Sequence, residues 1–114
     1  MKKDNLIVDL SVEFALDIIE YAELLEEKRK FVIANQILKS GTSIGANVRE
    51  AQNAESKLDF IHKLKIAAKE ADETDYWLEL CIRSKKYPDC LELKEKVVVL
   101  LRILNKIIGT SKAK

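Results

Sequence analysis

The sequence predicts an all-α protein: an up-down-up-down antiparallel four-helix bundle built as a single domain over residues 1–114. Three observations predict it. Apolar residues recur at spacings of three and four along almost the whole chain, the period of an amphipathic helix. Breakers are scarce, with one proline and three glycines in 114 residues, which leaves room for long helices. The links between the periodic stretches are short, and short links oblige consecutive helices to run antiparallel.

The first helix is expected from about Leu10 to Lys28. Val12, Ala15, Ile19 and Ala22 form its stripe, widened by Phe14, Ile18, Tyr21 and Leu25, with Ser11 as N-cap. Glu13 and Asp17 sit early and Lys28, Arg29 and Lys30 late, as the helix dipole favours. A second helix begins near Phe31 and carries Ile33, Ala34, Ile37, Leu38, Ile44 and Val48. A break at Gln52–Glu55 leads to Ser56 as the N-cap of a third helix reaching about Lys85. Its seam reads Ile61, Leu64, Ala68, Ala71, Asp75, Leu78 and Ile82, flanked by Phe60, Ala67, Thr74 and Cys81, which is a coiled-coil-like repeat. Pro88 and Asp89 suit the first turn of a fourth helix with the stripe Leu93, Val97, Leu100, Leu104 and Ile107. Gly109 is placed to cap it, leaving TSKAK to fray.

The stretch SGTSIGANVRE at 40–50 poses the one local puzzle. A phosphate-cradling loop would follow a strand and carry a lysine, and neither is present. Gly41 and Gly45 are four apart, so on a helix they share a face; with Ser40 and Ala46 they make it slim enough for a close helix neighbour. Two interior glycines cost roughly 1 kcal/mol each relative to alanine, and close packing is the expected compensation. A simple loop at 40–46 is the alternative. Asn47 and Glu50, one turn further on, are candidates for a hydrogen-bonded clasp to another helix.

Charge and chemistry exclude more than they assign. Twenty basic and 19 acidic residues give a net charge of +1, so the total makes no electrostatic case for nucleic acid or membrane. Position matters more: in an up-down bundle, Lys28, Arg29 and Lys30 share a pole with Arg83, Lys85 and Lys86, the candidate nucleic-acid contacts. Cys81 and Cys90 lack the spacing of a zinc site and read as one core cysteine and one near a helix start, in a reducing cytosol. His62 is the single histidine, with Asp59 three before it, which is half of a di-iron motif with the wrong acid. It lies 19 residues from Cys81 on one helix, about 28 Å away, too far for a catalytic pair. No catalytic residue, metal ligand or cofactor is assigned. The N-terminus is not a signal peptide, and the apolar run at 97–108 is too short and too charged to span a bilayer, so a cytoplasmic protein is expected.

Two side-chain sets point to partners. Ile66, Tyr76, Trp77 and Leu80 on helix three, with Val99 and Ile103 on helix four, fall outside the bundle seams and form the expected oligomer interface. Asp75 stands in an apolar seam, where a carboxylate needs a partner: Asn47, Arg49 or a lysine across the bundle, unless local rotation takes it to the rim.

SGTSIGANVREAQ, followed by SKLDFIHKLKIAAKEADETDYWLELC, resembles the bacterial four-helix-bundle proteins encoded in intervening sequences of 23S rRNA genes. It is also similar to the accessory variability protein of diversity-generating retroelements. The most specific strings are Ser43–Glu50 and Glu70–Leu80. The resemblance implies a homo-oligomer, commonly a pentamer, with no assigned catalysis; the retroelement relatives are basic and bind nucleic acid and a reverse transcriptase. This chain is nearly neutral, and Ala51 replaces a glycine common in the family. The expectation is therefore a non-enzymatic homo-oligomeric scaffold or binding protein, with RNA or a nucleic-acid-processing protein as candidate partner. A protein adaptor and a small metal-dependent enzyme are the alternatives.

Overall fold

A computed structural model describes residues 5–114. Four helices follow one another: α1 (Leu6–Glu27), α2 (Phe31–Gln52), α3 (Lys57–Arg83) and α4 (Leu91–Ala113). Each packs on its neighbours in the order α1, α2, α3, α4 and back to α1. Side-chain contacts climb one helix as they descend the next: Ser40 meets Thr74 and Glu50 meets Lys63, so the bundle is antiparallel. It measures 47 × 23 × 21 Å.

The core is a set of heptad-like seams. α1 buries Ile7, Ser11, Phe14, Ile18, Tyr21 and Leu25; α2 buries Ala34, Ile37, Gly41, Ile44, Val48 and Ala51. α3 buries Leu64, Ala67, Ala71, Thr74, Leu78 and Cys81, and α4 buries Leu93, Val97, Leu100, Leu104 and Ile108. These seams correct the expected stripes. In α1, Val12 is 40% exposed while Ser11 is buried. In α3 the seam runs through Ala67, Thr74 and Cys81 rather than Ala68, Asp75 and Ile82, and in α4 Ile108 replaces Ile107. Small residues lie where helices come closest, so a hydropathy stripe slides one position towards their bulkier neighbours.

Helix ends differ from expectation at two of the four helices, α1 and α4. Ser11 lies inside α1, its hydroxyl donating to the Val8 carbonyl at 3.0 Å, because the helix begins at Leu6. Pro88 precedes α4 by three residues; its carbonyl accepts from the Tyr21 hydroxyl at 2.8 Å, fastening the α3–α4 link to α1. Gly109 is helical with negative φ, and α4 continues through the expected frayed tail to Ala113. Ser56 caps α3 as expected: Asp59 N donates to Ser56 Oγ at 3.0 Å, and Glu55 N donates to Asp59 Oδ2 at 3.2 Å. α2 runs unbroken through 40–50, which removes the loop alternative.

The α1–α2 turn is a Schellman motif. Lys30 N donates to Leu25 O at 2.8 Å and Arg29 N to Glu26 O at 2.9 Å. That geometry places Arg29 at φ 64°, where glycine is the usual residue. Arg29→Gly is expected to raise stability by about 1 kcal/mol, read from urea unfolding.

Candidate interaction surfaces

Close approach of α1 and α2 rests on the two glycines. A Cβ at Gly41 would lie 2.8 Å from Ile18 Cγ2 and 2.9 Å from Cγ1, and one at Gly45 would lie 3.3 Å from the Ser11 carbonyl oxygen. Ser40 faces the other neighbour, α3. Its hydroxyl lies 2.8 Å from Thr74 Oγ1, which is also 2.8 Å from the Glu70 carbonyl. One proton on each hydroxyl satisfies the chain Ser40 to Thr74 to Glu70, so this buried polar pair is fully bonded. Asn47 donates to the Ser43 carbonyl of its own helix at 2.9 Å, which corrects the expected clasp. Glu50 does reach across, accepting from Lys63 of α3 at 2.9 Å.

Asp75 lies at the rim of the α3–α4 seam. Its partner is the cross-bundle lysine: Lys94 Nζ stands 2.7 Å from Asp75 and 3.1 Å from Glu79. Burial alone would lower the Lys94 pKa, but hydrogen bonds to Asp75 and Glu79 outweigh it and hold it raised. The same bond from Lys94, helped by Arg83, holds Glu79 below the usual carboxylate range. A depressed carboxylate stabilises above its unfolded pKa and loses this as pH falls through the folded one; a raised lysine stabilises below its unfolded pKa and loses this at higher pH. Lys94→Met is therefore expected to cost about 1 kcal/mol near neutrality, a modest figure because all three groups are partly solvated. Urea unfolding should show the deficit shrinking below about pH 4.

The six expected interface residues do not form one patch. At about 100° per residue, Lys63 turned to α2 and Asp75 turned to α4 fix the rotation of α3. Ile66 and Trp77 then lie on its α2 flank, while Tyr76 and Leu80 lie on its outer edge, Tyr76 slightly towards α4 and Leu80 slightly towards α2. On α4, Lys94 turns to α3 and Lys96 to α1, where it bonds Asp17 at 2.7 Å. Val99 and Ile103 fall on the α1 flank, across the bundle from Trp77. Tyr76 is 55% exposed and Leu80 37%. Trp77 is half-buried, with Nε1 donating to Glu73 at 3.2 Å and its ring edge-on to Tyr76 at 5.2 Å. An apolar row absent from the expected set runs along α1, where Leu16 is 57% exposed beside Val12.

The α1–α4 face holds a feature that no linear motif announces. These two helices pack least closely, and between them lies a groove of about 340 Å³. Leu10, Phe14, Val99 and Leu100 form its floor; Glu13, Asp17, Glu92, Glu95 and Lys96 form its rims. A second depression continues past Asp17 to Glu20 and Leu24.

The two basic links meet at one pole. Lys28, Arg29 and Lys30 lie in or beside the α1–α2 turn, and Arg83, Lys85 and Lys86 lie at the end of α3 and beyond. Lys30 Nζ sits 5.1 Å from the Tyr87 ring centroid, joining the links, and the Arg29 guanidinium is 6.0 Å from that of Phe31. Arg83 turns back to Glu79 at 2.8 Å.

Cys81 and Cys90 are buried free thiols, with Cys90 Sγ 3.6 Å from the Leu78 carbonyl. Hydrogen bonding with Cys90 and burial hold the Cys81 thiol up, and burial pushes the Tyr21 hydroxyl up. His62 is exposed and Asp59 is spent on the α3 cap. Among the described residues no three metal-ligating side chains converge, and no helix is long and apolar enough to cross a membrane.

Comparisons with known proteins place this architecture. A crystal structure of a protein with unknown function from the S23 ribosomal protein family of Bacteroides thetaiotaomicron VPI-5482 superposes with a TM-score of 0.86. The two sequences are 45% identical, over 90% of this chain and 98% of that one. No curated protein matches. The family model described as 23S rRNA-intervening sequence protein matches residues 3–106. A match over that much of the chain, on a bundle with the same course as a solved relative, means that this protein belongs to the 23S rRNA-intervening sequence protein family.

Proposed function

We propose that the protein is a non-enzymatic, cytoplasmic scaffold that assembles with copies of itself into a ring, commonly a pentamer in proteins that it resembles. The observation that carries this reading is the pair of outward apolar rows on diagonally opposite helices: Tyr76 and Leu80 on α3, and Val12 and Leu16 on α1. A head-to-tail ring needs two unlike surfaces on each subunit, and a symmetric dimer needs only one. The sealed position of the thiols supports the non-enzymatic part, since a nucleophile must reach its substrate. Light scattering at micromolar concentration tests the assembly. The wild type is expected at the mass of an oligomer, and the double variant Tyr76→Glu, Leu80→Glu at that of a monomer. A monomeric wild type, or an oligomer indifferent to both changes, defeats the reading.

The joined basic links favour a second role, contact with RNA at that pole, because Lys28, Arg29, Lys30, Lys85 and Lys86 gather there. Binding would weaken steeply with salt as counterions are released. Loss of affinity on changing those five residues to glutamine is the expected result; no affinity at low salt removes this role.

A further inference from the structure

We propose that the α1–α4 groove is a docking site for a cationic amphipathic helix of a partner protein. The proposal stands on shape, lining and charge. The groove runs between two antiparallel helices, the geometry into which a third helix packs by setting its ridge in the valley. From Leu10 to Leu24 along α1, it offers about 21 Å, or roughly four turns of a partner helix. The floor is apolar, with Val99 46% exposed, so a leucine-rich stripe would be desolvated there.

Charge selects the occupant. Glu13 and Asp17 stand on one rim, Glu92 and Glu95 on the other, and the single lining cation, Lys96, is held by Asp17 at 2.7 Å. Among the described residues Glu13, Glu92 and Glu95 make no ion pair, and Glu20 extends the acidic rim. Lysines or arginines flanking an apolar stripe would meet these carboxylates on both sides. The same field repels a nucleic-acid backbone and an anionic lipid surface. A second copy fits less well. The α2–α3 face carries Glu70 and Glu73, and Lys63 there is already bonded to Glu50. Lys39 and Lys69 stand beside Glu70 on that face, so its cations, like Lys63, already face acids of their own subunit.

The test uses the full chain and a labelled synthetic peptide of leucine and lysine at amphipathic helical spacing. A control peptide keeps the leucines and replaces each lysine by glutamate. Fluorescence anisotropy is expected to give micromolar affinity for the lysine peptide and at least tenfold weaker binding of the control. Glu13→Lys with Glu95→Lys, both at the solvated rim, should weaken the lysine peptide at least tenfold. Tyr76→Glu with Leu80→Glu should leave its binding unchanged, which separates this site from the self-assembly surface. Equal binding of both peptides, or indifference to the rim changes, overturns the proposal. So does peptide binding confined to the Tyr76→Glu, Leu80→Glu variant, because the groove would then be covered by a neighbouring copy.

Discussion

Gly41→Leu is expected to lower unfolding stability by about 3 kcal/mol, the upper part of the range for overpacking a dense core. Even a methyl group at this position would stand 2.8 Å from Ile18 Cγ2, closer than carbon atoms can sit. Ile18 cannot swing away, since it is β-branched and fully buried. Either α1 and α2 separate, opening voids beside Phe14 and Ile44, or the new side chain adopts a strained rotamer. Leucine has the better helix propensity, worth about 1 kcal/mol over glycine, and this offsets only part of the cost. The control is Gly109→Ala, where nothing lies within 4 Å of the added carbon. There the propensity gain of about 0.5–1 kcal/mol should appear undiminished. Urea unfolding of both variants checks the sign of each. A neutral Gly41→Leu would mean that the two helices are not held at the distance described.

Phe14→Ala should cost about 3 kcal/mol, at the lower end of the range for removing a buried aromatic side chain. Phe14 is 2% exposed, so nearly its whole ring leaves water on folding. The cavity cost should nevertheless be muted, because Phe14 borders the α1–α4 groove and water can enter the space left behind. Leu104→Ala, at a site fully enclosed by the bundle, should cost as much or more despite its smaller side chain. Denaturant midpoints for the two variants decide the comparison. A Phe14 variant destabilised by 5 kcal/mol or more would mean that the groove is closed in solution.

How far the chain could be read varies residue by residue. The helix count, the antiparallel course and the Ser56 cap follow from local information: apolar spacing, scarce breakers and a hydroxyl before an acid. The 40–50 stretch was legible as a thin helix because two glycines four apart imply one slender face. Rotation about each helix axis was harder. Ser11, Gly41 and Thr74 occupy seam positions yet carry little hydropathy, so the apparent stripes turned towards Val12 and Asp75. That displacement also merged Trp77 and Val99 into one patch, although they lie on opposite flanks. The α4 boundary differs for a local reason: a glycine near the end of a periodic stretch suits a cap, yet at Gly109 the backbone keeps helical dihedrals.

From residue order alone came the all-helical class, the number of rods, their alternating direction and a slim face on the second rod, because each depends on short-range periodicity and side-chain size; that α1 is the helix lying against that face is a matter of packing. Packing in three dimensions settled which face of each rod turns inward, which lysine answers Asp75, and that α1 and α4 leave an acid-rimmed groove. These depend on distances between residues far apart in the chain: Asp17 and Lys96 meet only because four helices close into a ring, and no local pattern encodes that distance.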